Sequence, residues 1–457
     1  MSPVSDAPAE PAAVPTLGVP AGADGRPVTA LPMPQLLQLS AYWFGLTMVF
    51  TALDSVVLPE RLKLLLPPEQ VNAGVGVISG LGALVAILVQ PMVGSISDYT
   101  TSRWGRRKPY IVVGSTLDLV FLVGIATANP LVAIAAFYLL LQFSSNTAQG
   151  PFQGYVPDLV PAPQVGLASA LVGIMSILGP IAGTIIVSIP LHLTSPGQAP
   201  DFTLATIALG VIELTTAIVT VVTVSEGSTA KPRKGRPWLS IAFETWGRDV
   251  LSERSFVHLV ASRLMILAGI SMFTREIDLY LTYSIPLSTS DRGFWLAVAP
   301  IILGGAVLIA CIPSARASDR YGRKPLIYLA CAVGGLGSAI MVVAPIVPVA
   351  LVGAVLIGLA AGTFLAVDWA LMTDIIPKAA SGRYMGLSNV ATGLAGTVAV
   401  ASAGLIVLIV TKGLGDEGFA LRLAFVLAIG LFALGSIFLR GVDPTRREDA
   451  GEVPYEP

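Results

Sequence analysis

The chain has 457 residues, 54% of them apolar and 12% charged, with 27 basic residues against 28 acidic ones. A soluble domain carries about a quarter charged residues and cannot hide this much apolar side chain from water, so a soluble enzyme with a large core is excluded. The formal net charge of −1 leaves no basic footprint for nucleic acid.

Residues 1–35 hold eight prolines and one basic residue. Without the basic start and apolar run of a signal peptide, they read as a disordered tail. Apolar spans of about 20 residues, the length that crosses a bilayer, follow near 36–58, 73–97, 109–127, 130–150, 166–190 and 203–224. A polar interval, 225–254, opens with the basic EGSTAKPRKGRP. It continues with Trp238, Ala242, Trp246 and Val250 at every fourth position, the pattern of a short helix lying on the membrane surface. Six more spans lie near 256–284, 293–314, 326–345, 347–373, 384–411 and 419–440, and 441–457 is a second tail. The sequence therefore predicts an all-α integral membrane protein of two six-helix bundles, 36–224 and 255–440, joined by 225–254.

Lys and Arg counts orient the spans. With both termini in the cytoplasm, interior segments hold 20 of the 27 basic residues and outer loops five (Arg61, Lys63, Arg292, Lys412, Arg422). The expected location is the cell membrane, with both termini cytoplasmic. Cys311 and Cys331 sit singly in apolar runs, and His192 and His258 are far apart, so no disulfide or metal centre is expected. No phosphate-binding GxxxxGK[ST] loop occurs, so an ion or solute gradient has to drive any transport.

The halves repeat one another. GSISDYTTSRWGRRKP (94–109) follows the second span and ARASDRYGRKP (315–325) follows the eighth. Asp98 and Asp319 stand at helix ends, where Arg106, Arg107 and Arg323 can pair with them and with neighbouring helix C-termini. The glycines permit the sharp reversal. YVPDLVP (155–161) and LMTDIIP (371–377) repeat after the fourth and tenth spans, adding Asp158 and Asp374. Such a cluster can lock the cytoplasmic side in one conformation and release it in another.

These motifs resemble the major facilitator superfamily across residues 36–440. SDYTTSRWGRRKP and SNTAQGPFQGYVPDLVP (145–161) are similar to the sucrose–proton symporters and to the wider glycoside–pentoside–hexuronide cation symporter group. The resemblance implies a central cavity lined by spans 1, 4, 7 and 10, peripheral spans 3, 6, 9 and 12, and alternating access. The chain departs from the plant symporters at Gln142, where they carry the Asp taken to hold the coupling proton, and at Gln153, where they carry Arg.

Ionisable side chains within spans cost about 2.5–3.5 kcal/mol on insertion scales and are functional candidates by default. Here they are Asp54, Asp118, Glu213, Glu276, Asp278, Asp368, Arg263 and Arg275. Arg275 and Asp278 are i,i+3 neighbours. They read either as an ion-coupling pair that exchanges with Asp54 or as a structural pair holding the bundles together. Asp368 and Asp118 are the next coupling candidates. Asp368 beside Trp369 suits a sugar, offering a carboxylate to hydroxyls and a ring to the C–H face, or else a gate near Asp374. Gln142, Asn146, Gln149 and Gln153 share one helical face, as hydroxyl readers or as interhelical glue.

The expected function is secondary active transport of a small hydroxylated solute, a sugar or glycoside, with H+ or Na+ and no other cofactor, by a monomer. The alternative is a proton-coupled exporter of a lipophilic or amphiphilic compound. A sensor or scaffold is disfavoured, since the longest interior loop has only about 30 residues.

Overall fold

Within lipid each backbone N–H and C=O has to be satisfied inside its own segment, which makes helices of these apolar runs. The computed structural model describes residues 29–194, 198, 200–226, 235–247, 250, 252–285, 287–376, 380–414 and 416–444. Residues 1–28 of the expected disordered tail 1–35, residues 445–457 of the second tail, and the basic stretch 227–234 lie outside the described residues.

Among the described residues, twelve helices are long and apolar enough to cross a membrane. They are α1 Met33–Lys63, α2 Pro68–Asp98, α3 Lys108–Thr127, α4 Leu131–Leu159, α5 Val165–Leu193 and α6 Thr203–Thr223, then α7 Arg254–Tyr283, α8 Thr289–Tyr321, α9 Arg323–Val343, α10 Val347–Ile375, α11 Ser381–Leu414 and α12 Glu417–Arg440. The fold is the expected all-α one, and no strand occurs among the described residues. Helix α1 begins inside the expected tail, because Pro34 in its first turn has no N–H to satisfy.

Two helices are interrupted, each by a proline. Pro59 cannot donate to Ser55, and α1 answers with a π turn over Leu53–Val57, closed by Leu58 N–H to Leu53 O. Pro157 likewise cannot donate to Gln153, and the α-helical run of α4 is interrupted at Gly154 before one last turn, Tyr155–Leu159.

Helix pairing repeats under a shift of six spans. In the first half α1 packs on α5 and α6, α4 on α2 and α3, and α3 on α6. In the second, α7 packs on α11 and α12, α10 on α8 and α9, and α9 on α12. The halves meet along α2–α11 and α5–α8, with further contact of α5 with α10 and of α4 with α11. Exposed apolar side chains, such as Val113 and Val120 on α3 or Leu434 and Ile437 on α12, form the outer surface that lipid would cover.

The α2–α11 seam is closed at one end only. A Cβ on Gly94 would lie 2.5 Å from Gly382 O, and one on Gly386 2.6 Å from Pro91 Cα. Gly76 lies five helical turns from Gly94 on the same face of α2, and a Cβ there would meet nothing within 4 Å. Gly404 stands in the same relation to Gly386 on α11, and it too is open. Helices α2 and α11 thus touch at the face bearing the Arg/Lys loops and part toward the opposite face.

The linker carries a short helix, Trp238–Glu244, shorter than the expected stripe. Ala242 is buried, Trp238 is about two-fifths exposed, and Trp246 and Val250 lie beyond its end. The helix straddles the closed seam: Ser95 on α2 donates to Ile241 O (3.5 Å) and Arg383 on α11 to Thr245 O (3.2 Å).

Candidate functional site

The expected lock, on the basic face, is built around Arg107. Gly105 takes φ 115°, turning the loop in a region that favours glycine, and Arg107 beyond it is fully buried. Its guanidinium donates to Pro151 O (2.6 Å), which also accepts from Gly154 N (3.2 Å) where α4 breaks. It also reaches Asp98 (3.2 Å), Asp158 (2.7 Å) and, across the seam, Ser381 Oγ at the start of α11 (2.8 Å). Ser381 in turn donates to Asp158 Oδ1 (2.7 Å), and Arg106 pairs with Asp158 as well. Burial works against the charge of Arg106, but Asp158, Asp98 and Glu226 outweigh it and hold its pKa above the ordinary value. Arg106 therefore stays charged within the cluster.

The second half copies the arrangement. Gly322 turns at φ 92°, and the buried Arg323 donates to Ser318 Oγ (2.6 Å) and Asp374 (3.3 Å) and pairs with Asp319. The Asp319 carboxylate abuts the N-terminus of α5, where a Cβ on Gly166 would lie 2.8 Å from its oxygens. All the expected gate residues thus come together in two matching clusters.

Above the lock, at the level where α2 and α11 part, lies a mixed polar and aromatic floor. Trp43 of α1 meets Trp369 of α10 edge to face (5.4 Å, 81°), and Phe152 of α4 packs against Trp43 (5.8 Å) and Tyr42 (4.9 Å). Asp368, the carboxylate the sequence offers to a sugar, is ion-paired through Oδ2 with the buried Arg263 of α7, while its Oδ1 has no hydrogen-bond partner. The Arg263 guanidinium also stands 5.6 Å from the Trp369 ring centre. From Arg263 a hydrogen-bonded chain runs to Thr392 (3.1 Å), Asn389 (3.4 Å) and, across the seam, Gln90 of α2 (3.1 Å).

The amide stripe of α4 is buried throughout. Gln142 donates to the Tyr138 hydroxyl (3.1 Å), Asn146 donates to Gln142 O (2.7 Å), and Tyr138 donates to Asp54 Oδ1 (2.7 Å). Gln149 is 8% exposed, and Gln153, beside the α4 break, has neither amide atom in a hydrogen bond. Asp54 thus has Tyr138 as a partner. Arg275 and Asp278 lie on α7, but their side chains fall outside the described residues, as does the expected exchange with Asp54. Asp118 accepts hydrogen bonds from Ser144 and Ser145 (2.6 Å), both on α4. No group of three or more metal-ligating side chains occurs among the described residues.

The Major Facilitator Superfamily model matches residues 36–400. The chain belongs to this superfamily. A sucrose transport protein of Oryza sativa subsp. indica is 36% identical over 124 residues, 22% of this chain and 24% of the relative. The human Proton-associated sugar transporter A is 31% identical over 170 residues, 33% of this chain and 22% of the relative. The aligned stretches thus span about a quarter of the curated relatives' length. Among solved structures, the proton:xylose symporter XylE bound to 6-bromo-6-deoxy-D-glucose superposes with TM-score 0.64 at 16% identity, covering 91% of this chain and 98% of that one. FucP in its outward conformation gives 0.65 at 15%, covering 89% and 98%. Major facilitator proteins are transporters, so the chain is not an enzyme.

In this major facilitator chain the sequence reading missed Glu226, taken as part of a solvated linker. Its carboxylate caps α3, accepting from Arg107 N (3.0 Å) and Lys108 N (3.1 Å), and accepts from the Tyr155 hydroxyl. Ser381 and Thr392 were missed as well. Nothing in the sequence marks a lone hydroxyl as the far end of a network.

Proposed function

We propose that the protein is a secondary active transporter of a small hydroxylated solute, a sugar or glycoside, working by alternating access with a coupled proton. The observation that carries this reading is the network Asp368–Arg263–Thr392–Asn389–Gln90, which crosses the seam beside the Trp43–Trp369 pair. Charged and amide groups that can exchange hydrogen bonds with hydroxyls adjoin two indole faces that suit sugar C–H groups. A solute binding there would touch both halves at once, so its binding energy could favour one arrangement of the bundles over the other. The sugar-transporting relatives support the same class of solute.

On this reading the basic face is cytoplasmic, as the Lys/Arg bias demands, and the arrangement described is open to the outside with the cytoplasmic lock engaged. One chain supplies both bundles and the whole seam, so the working unit is a monomer in the cell membrane. The test is counterflow in proteoliposomes with radiolabelled sucrose, xylose, fucose and an aryl glycoside. Exchange of at least one, abolished by Arg263→Ala together with Asp368→Ala, is expected. Absence of exchange with every sugar, alongside proton-driven movement of a lipophilic cation, would overturn the reading in favour of an exporter.

A further inference from the structure

A second polar cluster lies away from the seam, inside the first bundle. Asp118 sits halfway along α3 and Glu213 halfway along α6, and both are fully buried. Each has roughly 15 Å of helix on either side, which puts both at mid-membrane depth. Glu213 has Asp118 and Tyr42 as its neighbours. The tight crossing of α1 over α6 closes the site, since a Cβ on Gly45 would lie 2.9 Å from Glu213 Cα.

The groups facing the pair can be named helix by helix. Helix α1 contributes Tyr42, which accepts from Ser115 (2.7 Å); α4 contributes Ser144 and Ser145; α3 and α6 contribute the acids themselves. No described Lys, Arg or His neighbours either carboxylate. Neither Glu213 oxygen has a hydrogen-bond partner, whereas Asp118 receives two hydroxyl donors.

Two ionised carboxylates side by side, fully buried and without a cation, repel each other and lose their hydration together. Such a pair holds at least one proton. Its two halves also differ in surroundings: two serine hydroxyls serve Asp118, while Tyr42 and Asp118 flank Glu213. The serines aim their protons at Asp118, the reverse of what a metal cation asks of its ligands. The site is joined to the seam through α4. A Cβ on Gly114 of α3 would lie 2.6 Å from Ser144 O, so α3 and α4 touch backbone to backbone beside these serines. When Asp118 gains a proton it loses acceptor capacity toward Ser144 and Ser145, and α4 is the element that has to respond. Gln142, Asn146 and the Asp158 end of the lock ride on that helix.

We propose that Asp118 and Glu213 form a shared-proton site that couples proton binding to movement of α4. This rests on the transport reading above. The test has two arms, both on the full chain. In the first, infrared spectra of the purified protein are titrated with pH without any solute. A carbonyl band of a buried protonated carboxylic acid is expected in the wild type, altered by Asp118→Asn and lost with Glu213→Gln. A band untouched by both substitutions, in variants that keep wild-type melting and monodispersity, overturns the site. In the second arm, a solute identified by counterflow is driven by a pH gradient in proteoliposomes. A one-proton symporter accumulates about tenfold per pH unit of gradient. Each variant should bring that ratio down to about one, because no proton is then carried. Accumulation at the wild-type ratio in both variants, or accumulation driven by Na+ alone, overturns the coupling role. If no sugar exchanges but the infrared band behaves as described, the transport reading falls and the shared-proton site stands.

Discussion

Arg107 and Gly154 interlock: the guanidinium occupies the space a side chain at 154 would need, with Nη1 only 1.2 Å from where a Cβ would stand. The break of α4 and the burial of the arginine are thus one feature. Gly154→Ala should displace Arg107 from Pro151 O and destabilise the protein by roughly 1–3 kcal/mol, the usual cost of overpacking. Arg107→Ala relieves the clash, so the double variant should be more stable than the sum of the single effects predicts. Melting in detergent for the four members of the cycle checks this, and strict additivity would refute the interlock.

The two lock clusters look alike, but they differ in reach. Arg107 bonds directly to Ser381 of the other half, whereas Ser318, Asp319 and Asp374, the partners of Arg323, all belong to its own half. Ser381→Ala should therefore open the basic face while leaving the fold intact. A hydrogen bond to a charged group is worth about 1.5–3 kcal/mol, so the population of the opened arrangement should rise about 10- to 150-fold. Asp98→Asn and Arg106→Ala should shift it the same way and slow solute flux. Arg323→Ala should shift it less. Distances between spin labels on the basic-face ends of α2 and α11 report the population, and equal effects of Ser381→Ala and Arg323→Ala would contradict the asymmetry.

Arg263 and Asp368 are 3% and 1% exposed, so neither charge tolerates the loss of the other. Arg263→Ala strands a buried carboxylate and should cost about 3–5 kcal/mol. Adding Asp368→Asn removes that charge and should recover most of the loss. Melting temperatures of the single and double variants decide it. A double variant no more stable than Arg263→Ala would show that the pair is not an isolated charge couple.

How far the sequence alone carried can be seen at these same residues. The spans were legible because hydropathy is a local property summed over about 20 residues. The lock acids were legible because each motif occurs twice at matching positions. Arg263 was visible as an ionisable group in a span, but its partner lies 105 residues away and no local pattern joins them. The α4 break was hidden for a different reason. Pro157 marks it, but the proline reads as part of a repeated loop motif until the helix is seen to stop at Gly154 and resume at Tyr155. The surface-helix stripe was overread, because Gly247 follows too soon for Trp246 and Val250 to stay on one helix.

The linker is tied at both ends, and the two ties predict different outcomes. Glu226 caps the start of α3 through two backbone N–H groups, while Arg383 of α11 donates to Thr245 O and Glu244 O at the end of the linker helix. Glu226→Ala leaves two N–H groups of α3 unsatisfied and should lower stability by about 1–2 kcal/mol, the usual cost of a lost cap. Arg383→Ala removes a strap across the seam rather than a helix cap, so stability should change less than in Glu226→Ala. The amides of Trp238–Glu244 should then exchange faster, and the α2–α11 ends should part more often. Hydrogen exchange read together with melting separates the two effects. If Arg383→Ala left the linker helix as protected as in the wild type, the packing of Ile241 and Ala242 alone would hold it on α2, and the strap across the seam would carry no weight.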